Sequence, residues 1–62
     1  MCEANAYMLE GDKERLIMES VDKVTHEAEG LLLVNIFGEQ KVIQARINAL
    51  ALVDHKILLE PY

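Results

Sequence analysis

Turn signals recur along this chain at roughly 8–12-residue spacing, and between them apolar residues alternate with polar ones. Only extended backbone satisfies a period of two, because successive side chains on a strand point to opposite faces. The segment from Cys2 to Leu9 alternates, with Cys2, Ala4, Ala6 and Met8 on one face and Glu3, Asn5, Tyr7 and Leu9 on the other. Glu10 to Lys13 reads as a turn, with Gly11 free to take a positive φ. Arg15 to Glu19 forms a short second strand with Leu16 and Met18 on one face, and Val21 to Ala28 a further one, rich in β-branched residues. Leu31 to Ile36 is a near-continuous apolar run, the pattern of a strand covered on both faces. Phe37-Gly38-Glu39 is the next turn. Lys41 to Ile47 alternates again, and a last turn at Asp54-His55 separates Leu52-Val53 from Lys56 to Leu59. Pro61 falls near the end, where it disturbs no ladder. A helix over Asn48 to Leu59, favoured by Ala49, Leu50 and Ala51, competes with this reading but is punctuated by Asp54-His55. The pattern predicts an all-β barrel or sandwich; it does not fix strand order.

A chain of 62 residues is one domain. A domain this small buries only about 60% of its unfolded surface. Its single cysteine cannot form a disulfide within the chain. Yet 52% of its residues are hydrophobic. That surplus of apolar surface points to association, most simply a twofold homodimer.

Charge narrows the partners. Eleven acids against six bases give a net charge of −5. Nucleic-acid binding draws on a basic footprint to neutralise phosphates, whereas Lys13, Arg15, Lys23, Lys41, Arg46 and Lys56 are scattered among acids. The aromatics Tyr7, Phe37 and Tyr62 are too few for a base-stacking platform. The N-terminus lacks a basic stretch followed by a long apolar run, and the longest apolar run is too short to span a bilayer. The expected location is therefore the cytoplasm, with no membrane, where a free thiol stays reduced.

Cys2 carries the most specific chemistry. Loss of Met1 would leave its thiolate beside a free amine on the same residue, and nitrogen and sulfur then close a five-membered chelate. With Met1 retained, the Cys2 amide and the Met1 amine take the nitrogen role. Soft thiolate and nitrogen donors in a planar set suit Ni(II) or Cu(II) better than Mg(II) or Ca(II). One chain cannot complete four-coordination from Cys2, but a twofold dimer brings two copies together. The plain alternative is that Cys2 packs as a small hydrophobe.

Other candidates are weaker. His26 and His55 stand 29 residues apart without helical metal-ligand spacing. Glu10, Asp12, Glu14, Glu27 and Glu29 look like solvated turn and strand residues, and no dense oxygen loop for calcium is present. Glu39, after Gly38, is open to a functional role, but a polar turn explains it equally. Met8 and Met18 offer thioethers but lie on apolar faces, so core packing accounts for them. Nucleophilic catalysis would have to pair Cys2 with His26 or His55, and nothing in the spacing supports that. An enzyme is not expected.

The Met1-Cys2-x-Ala4 opening, the length, the Phe37-Gly38-Glu39 turn after Leu31–Ile36 and the closing Asp54-His55-Lys56-Ile57-Leu58 hairpin together resemble the CooT family of small nickel-binding proteins. The resemblance covers nearly the whole chain. It implies an SH3-like or Sm-like barrel of about five to seven short strands. It further implies a homodimer in which Cys2 of each protomer contributes to one interfacial Ni(II) site, with Glu3 and Ala4 as backbone neighbours. The implied role is a Ni(II) carrier or chaperone, with carbon monoxide dehydrogenase or its maturation machinery as partner. Similar sequences are also labelled predicted RNA-binding proteins, so the alternative is an Sm-like or SH3-like module for RNA or protein in which Cys2 is structural.

Overall fold

The structure, a computed structural model, describes residues 4–62. The strand expected from Cys2 is seen from Ala4 onward; Cys2 itself lies outside the described residues. Six strands form one sheet: β1 (Ala4–Glu10), β2 (Lys13–Glu27), β3 (Gly30–Asn35), β4 (Gln40–Ile43), β5 (Ala45–Ala51) and β6 (Lys56–Pro61). Their order across the sheet is β4-β3-β2-β1-β6-β5. Neighbours run antiparallel except β1 and β6, which pair in parallel from Asn5–Lys56 to Met8–Leu59. The all-β expectation holds, and no helix occurs among the described residues.

The shape follows from two local facts. First, β4 and β5 are separated in sequence by Gln44 alone, yet they stand at opposite ends of the sheet. The two ends must therefore be brought round toward each other, and β5 comes against β3. The sheet is curled into a half-barrel. Second, β2 supplies the curvature. Between Ala4 and Ala6, between Ala6 and Tyr7, and between Val21 and Lys23, the pairing register slips, and each time β2 holds the extra residue. Such bulges bend a strand and increase its twist. One 15-residue strand can thus pair with β1 along its first part and with β3 along its second.

Several sequence expectations are corrected here. The two strands read at Arg15–Glu19 and Val21–Ala28 are one, β2, kinked at Ser20, whose φ is 55°. Serine gives no conformational hint of that angle, so the break looked like a boundary. Conversely, the single strand read at Lys41–Ile47 is divided at Gln44 into β4 and β5. Alternation survives this corner, with Ile43 half-buried and Ala45 buried, so period alone could not reveal it. Leu52-Val53 is a turn rather than a strand, and Ile36 lies beyond the end of β3. The competing helix over Asn48–Leu59 is replaced by β5, a turn and β6.

The concave side holds the core: Ala6, Met8, Met18, Val21, Leu31, Leu33, Ala45, Ile57 and Leu59, with Ala4, Ile17, Val24 and Ile43 packed against it. Met8 and Met18 are core residues, as their apolar faces predicted. Backbone comes close to backbone where β3 begins beside the end of β4. A Cβ on Gly30, at φ 142°, would collide with the carbonyl oxygen of Ile43, and the Gln44 side-chain amide closes the same corner by donating to the Glu29 carbonyl. Gly11 also has a positive φ, 67°, but faces open space.

Gly30→Ala should therefore lower unfolding free energy by about 2 kcal/mol or more, since backbone must move. Gly11→Ala should cost only about 1 kcal/mol, the strain of a non-glycine residue at positive φ. Urea unfolding of the two variants, compared at unchanged m-value, checks the difference.

Candidate functional site

One rim of the half-barrel brings the start of β1 together with His55 and the Phe37-Gly38-Glu39 turn. Ala4, the first described residue, pairs with Val21 on β2, and Val21 pairs with Asn35 at the end of β3. On the other side of β1, Asn5 pairs with Lys56 at the start of β6. The start of β1 is thus flanked by the β5–β6 turn on one side, and by the β2 kink and the β3–β4 turn on the other.

A relay of hydrogen bonds ties these pieces together. The Asn5 backbone N–H donates to the His55 carbonyl at 2.9 Å. The Asn5 side-chain oxygen Oδ1 accepts from the Ser20 N–H at 3.1 Å. The Ser20 carbonyl in turn accepts from the Ile36 N–H at 2.9 Å. Ser20 and His55 both have φ of 55°, an uncommon conformation for residues other than glycine. Each is gripped by Asn5.

The β3–β4 turn is fixed from within. Asn35 is only 4% exposed. Its Oδ1 accepts from the N–H groups of Phe37 at 3.0 Å and Glu39 at 2.9 Å. Its Nδ2 donates to the Glu39 carboxylate at 2.6 Å, and its backbone N–H donates to the Glu39 carbonyl at 3.0 Å. Glu39 is thus a turn-holding residue, as a polar turn would have it. No buried side-chain polar atom lacks a partner among the described residues.

On the opposite flank a pocket of about 270 Å³ is lined by Ala4, Leu50, Ala51, Leu52, His55, Lys56 and Ile57. Its lining is mainly apolar, and beside it Leu50, Leu52 and Val53 are exposed. Lys56 is not a free donor there. Its Nζ lies 3.1 Å from the Glu14 carboxylate and 5.3 Å from the centre of the Tyr7 ring. The hydrogen bond and charge of Glu14 raise its pKa, so the ammonium stays protonated at neutral pH and offers no lone pair to a metal.

The structure separates the two histidines. His55 lies on the rim and lines the pocket beside Ala4. His26 pairs with Leu31 far along β2, five residues past Val21, which is roughly 16 Å of strand away. Among the described residues, no three His, Cys, Asp or Glu side chains gather as a metal site. Cys2, the candidate metal ligand, lies outside the described residues; the sequence places it two positions before Ala4. Glu10, Asp12, Glu14, Glu27 and Glu29 are exposed as expected, and Glu10 pairs with Arg15 at 2.9 Å. Sequence reasoning missed Asn5, Ser20 and Asn35. The Asn35-to-Glu39 spacing around Phe37-Gly38 was the one available hint, because asparagine readily bonds to backbone N–H groups just ahead of it.

Comparison with known proteins agrees with this architecture. A family model described as CO dehydrogenase accessory protein CooT matches residues 1–60. A crystal structure described as a CooT from Carboxydothermus hydrogenoformans is 59% identical, with 98% of each chain covered and a TM-score of 0.94. No curated protein matches the chain. No helix among the described residues is long and apolar enough to cross a membrane.

Asn5→Ala should cost about 1–2 kcal/mol, because it leaves the Ser20 N–H without its acceptor. Asn5→Asp, which keeps an acceptor oxygen, should recover part of that loss. Denaturant titration gives the stabilities, and faster hydrogen exchange at the Ser20 amide should report the opened kink. Equal exchange in Asn5→Ala and the parent would show that the relay does not hold Ser20.

Proposed function

We propose that this chain, which belongs to the CooT family of CO dehydrogenase accessory proteins, is a Ni(II) carrier whose metal ligand is Cys2. In this reading the half-barrel is a small SH3-like or Sm-like unit that works as a twofold homodimer. Cys2 of each protomer contributes to one shared site. The observation that carries the reading is the family match, which runs over residues 1–60 and so includes Cys2. The rim geometry supports it. Ala4, at the start of β1 on this rim, lines an apolar pocket beside three exposed aliphatic side chains.

The chemistry follows from the donor set. Two thiolates and two nitrogens complete a square plane, the arrangement Ni(II) accepts readily. A carrier must hold its cargo firmly and still surrender it by ligand exchange, so incoming ligands need access to the metal. A site contributed from beside an exposed rim meets that need. The family is named for an accessory role and not for catalysis, in keeping with the lack of a nucleophile–base pair in the sequence.

The RNA-binding alternative is not favoured. Of the six basic residues, Arg15, Arg46 and Lys56 are paired with Glu10, Glu60 and Glu14. Those cations are partly neutralised within the chain, and the net charge of −5 remains. A phosphate backbone meets no basic track here.

Titration of the protein, bearing its native N-terminus, with Ni(II) under reducing conditions should saturate at one metal per two chains and develop thiolate-to-metal absorption. Cys2→Ser should remove both while leaving the fold and the dimer intact. Retention of parental affinity by Cys2→Ser would refute the assignment. The affinity should also fall as pH drops from 8 to 5, because thiol and nitrogen ligands must lose protons to bind. A pH-independent affinity would argue against thiolate ligation.

A further inference from the structure

We infer that the Ile36–Phe37 turn is a docking element for CO dehydrogenase, seating the Phe37 ring in an apolar socket on the enzyme. The inference rests on the accessory role proposed above and assigns the surface through which that role is exercised.

Three observations converge on this turn. Phe37 is 74% exposed and the adjoining Ile36 is 43% exposed. A large aromatic ring left in water next to an aliphatic neighbour is the composition of a binding anchor, since aromatic side chains dominate the centres of protein interfaces. The turn is also rigid. The side chain of buried Asn35 holds Phe37 and Glu39 through both backbone N–H groups and the Glu39 carboxylate. The Gly38 N–H donates back to the Asn35 carbonyl at 3.1 Å, with Gly38 at φ 84°. A segment already fixed in one conformation loses little entropy on docking. The buried amide of Asn35 thus holds the turn in the conformation that leaves the Phe37 ring exposed.

The third observation is placement. The register runs from Ala4 to Val21 to Asn35, so the turn stands two strands, about 10 Å, from the start of β1. It is joined to that start through Ser20 and Asn5. A delivery protein has to hold its recipient close enough for ligands on the recipient to reach the cargo. An anchor on the same rim as Ala4, the first described residue, does this, whereas one at the far end of β2 would not. Exposed Glu19 and Asp22 flank the kink at Ser20, with one exposed base, Lys23, next to them, and the chain carries −5 overall. The fitting socket is therefore apolar at its floor and basic at its edge, and association with it should slow as salt is raised.

The test measures binding of the nickel-loaded protein to purified, nickel-free CO dehydrogenase from the same organism. Phe37→Ser should weaken binding at least tenfold, and Phe37→Tyr should keep most of it. Nickel affinity, thermal midpoint and oligomeric mass should stay at parental values in both. Leu16→Ser, at an exposed position on β2 opposite Tyr7 and away from this rim, should bind as the parent does. The inference is overturned if Phe37→Ser binds the enzyme as tightly as the parent, or if the parent does not bind it. It is equally overturned if Phe37→Ser falls apart into monomers, which would make the turn a contact between copies. Failure of the parent to bind nickel would instead count against the carrier reading, with enzyme binding by the apo-protein still deciding the docking surface.

Discussion

Asn5 is the residue on which the arrangement of the rim depends. Its backbone N–H anchors the β5–β6 turn through His55, and its side chain anchors the β2 kink through Ser20. Both anchored residues sit at positive φ, a conformation that persists only where surroundings hold it. The Ser20 carbonyl then fixes Ile36 and the turn that follows. Four segments distant in sequence thus share one line of hydrogen bonds. Together they frame the start of β1.

The remainder of the fold serves that edge. This chain encloses its core by curling one sheet on itself, and β2 does the bending through its extra residues. Gly30 lets the start of β3 approach the end of β4, where a Cβ would collide with the Ile43 carbonyl oxygen, and Gln44 at the corner between β4 and β5 bonds to the Glu29 carbonyl. The core this encloses is small and dominated by Leu31, Leu33 and Leu59. Large apolar side chains remain outside it, among them Phe37, Leu50, Leu52 and Val53. These stand in two groups, one on each side of β1, and Leu16, Val42, Ile47 and Tyr62 are exposed elsewhere.

Much of this was legible from residue pattern. Alternation marked β1, the Leu31 run marked β3, and the Gly11 and Gly38 turns fell where they were expected. Patterns failed where the backbone departs from a plain ladder. Ser20 carries no conformational signature of its own, so a bulged strand looked like two. Gln44 turns a corner without breaking alternation, so two strands looked like one. The parallel pairing of β1 with β6 is a long-range contact that no local signal announces. For the site, position in the sequence pointed to Cys2, and the chelate chemistry of thiolate and nitrogen pointed to the metal. The residues that hold the rim, Asn5 and Asn35, were invisible because an asparagine in a strand or at its end reads as ordinary polar surface until its partners are known.

In the proposed role, nickel is held by the Cys2 thiolate and shared between two copies of the chain. Nickel K-edge X-ray absorption of the metal-loaded protein tests it most directly. The account predicts a four-coordinate planar edge shape with two sulfur scatterers per nickel, the sulfurs coming from Cys2 of two chains. A first shell of nitrogen and oxygen alone would contradict it and remove Cys2 from the metal's surroundings.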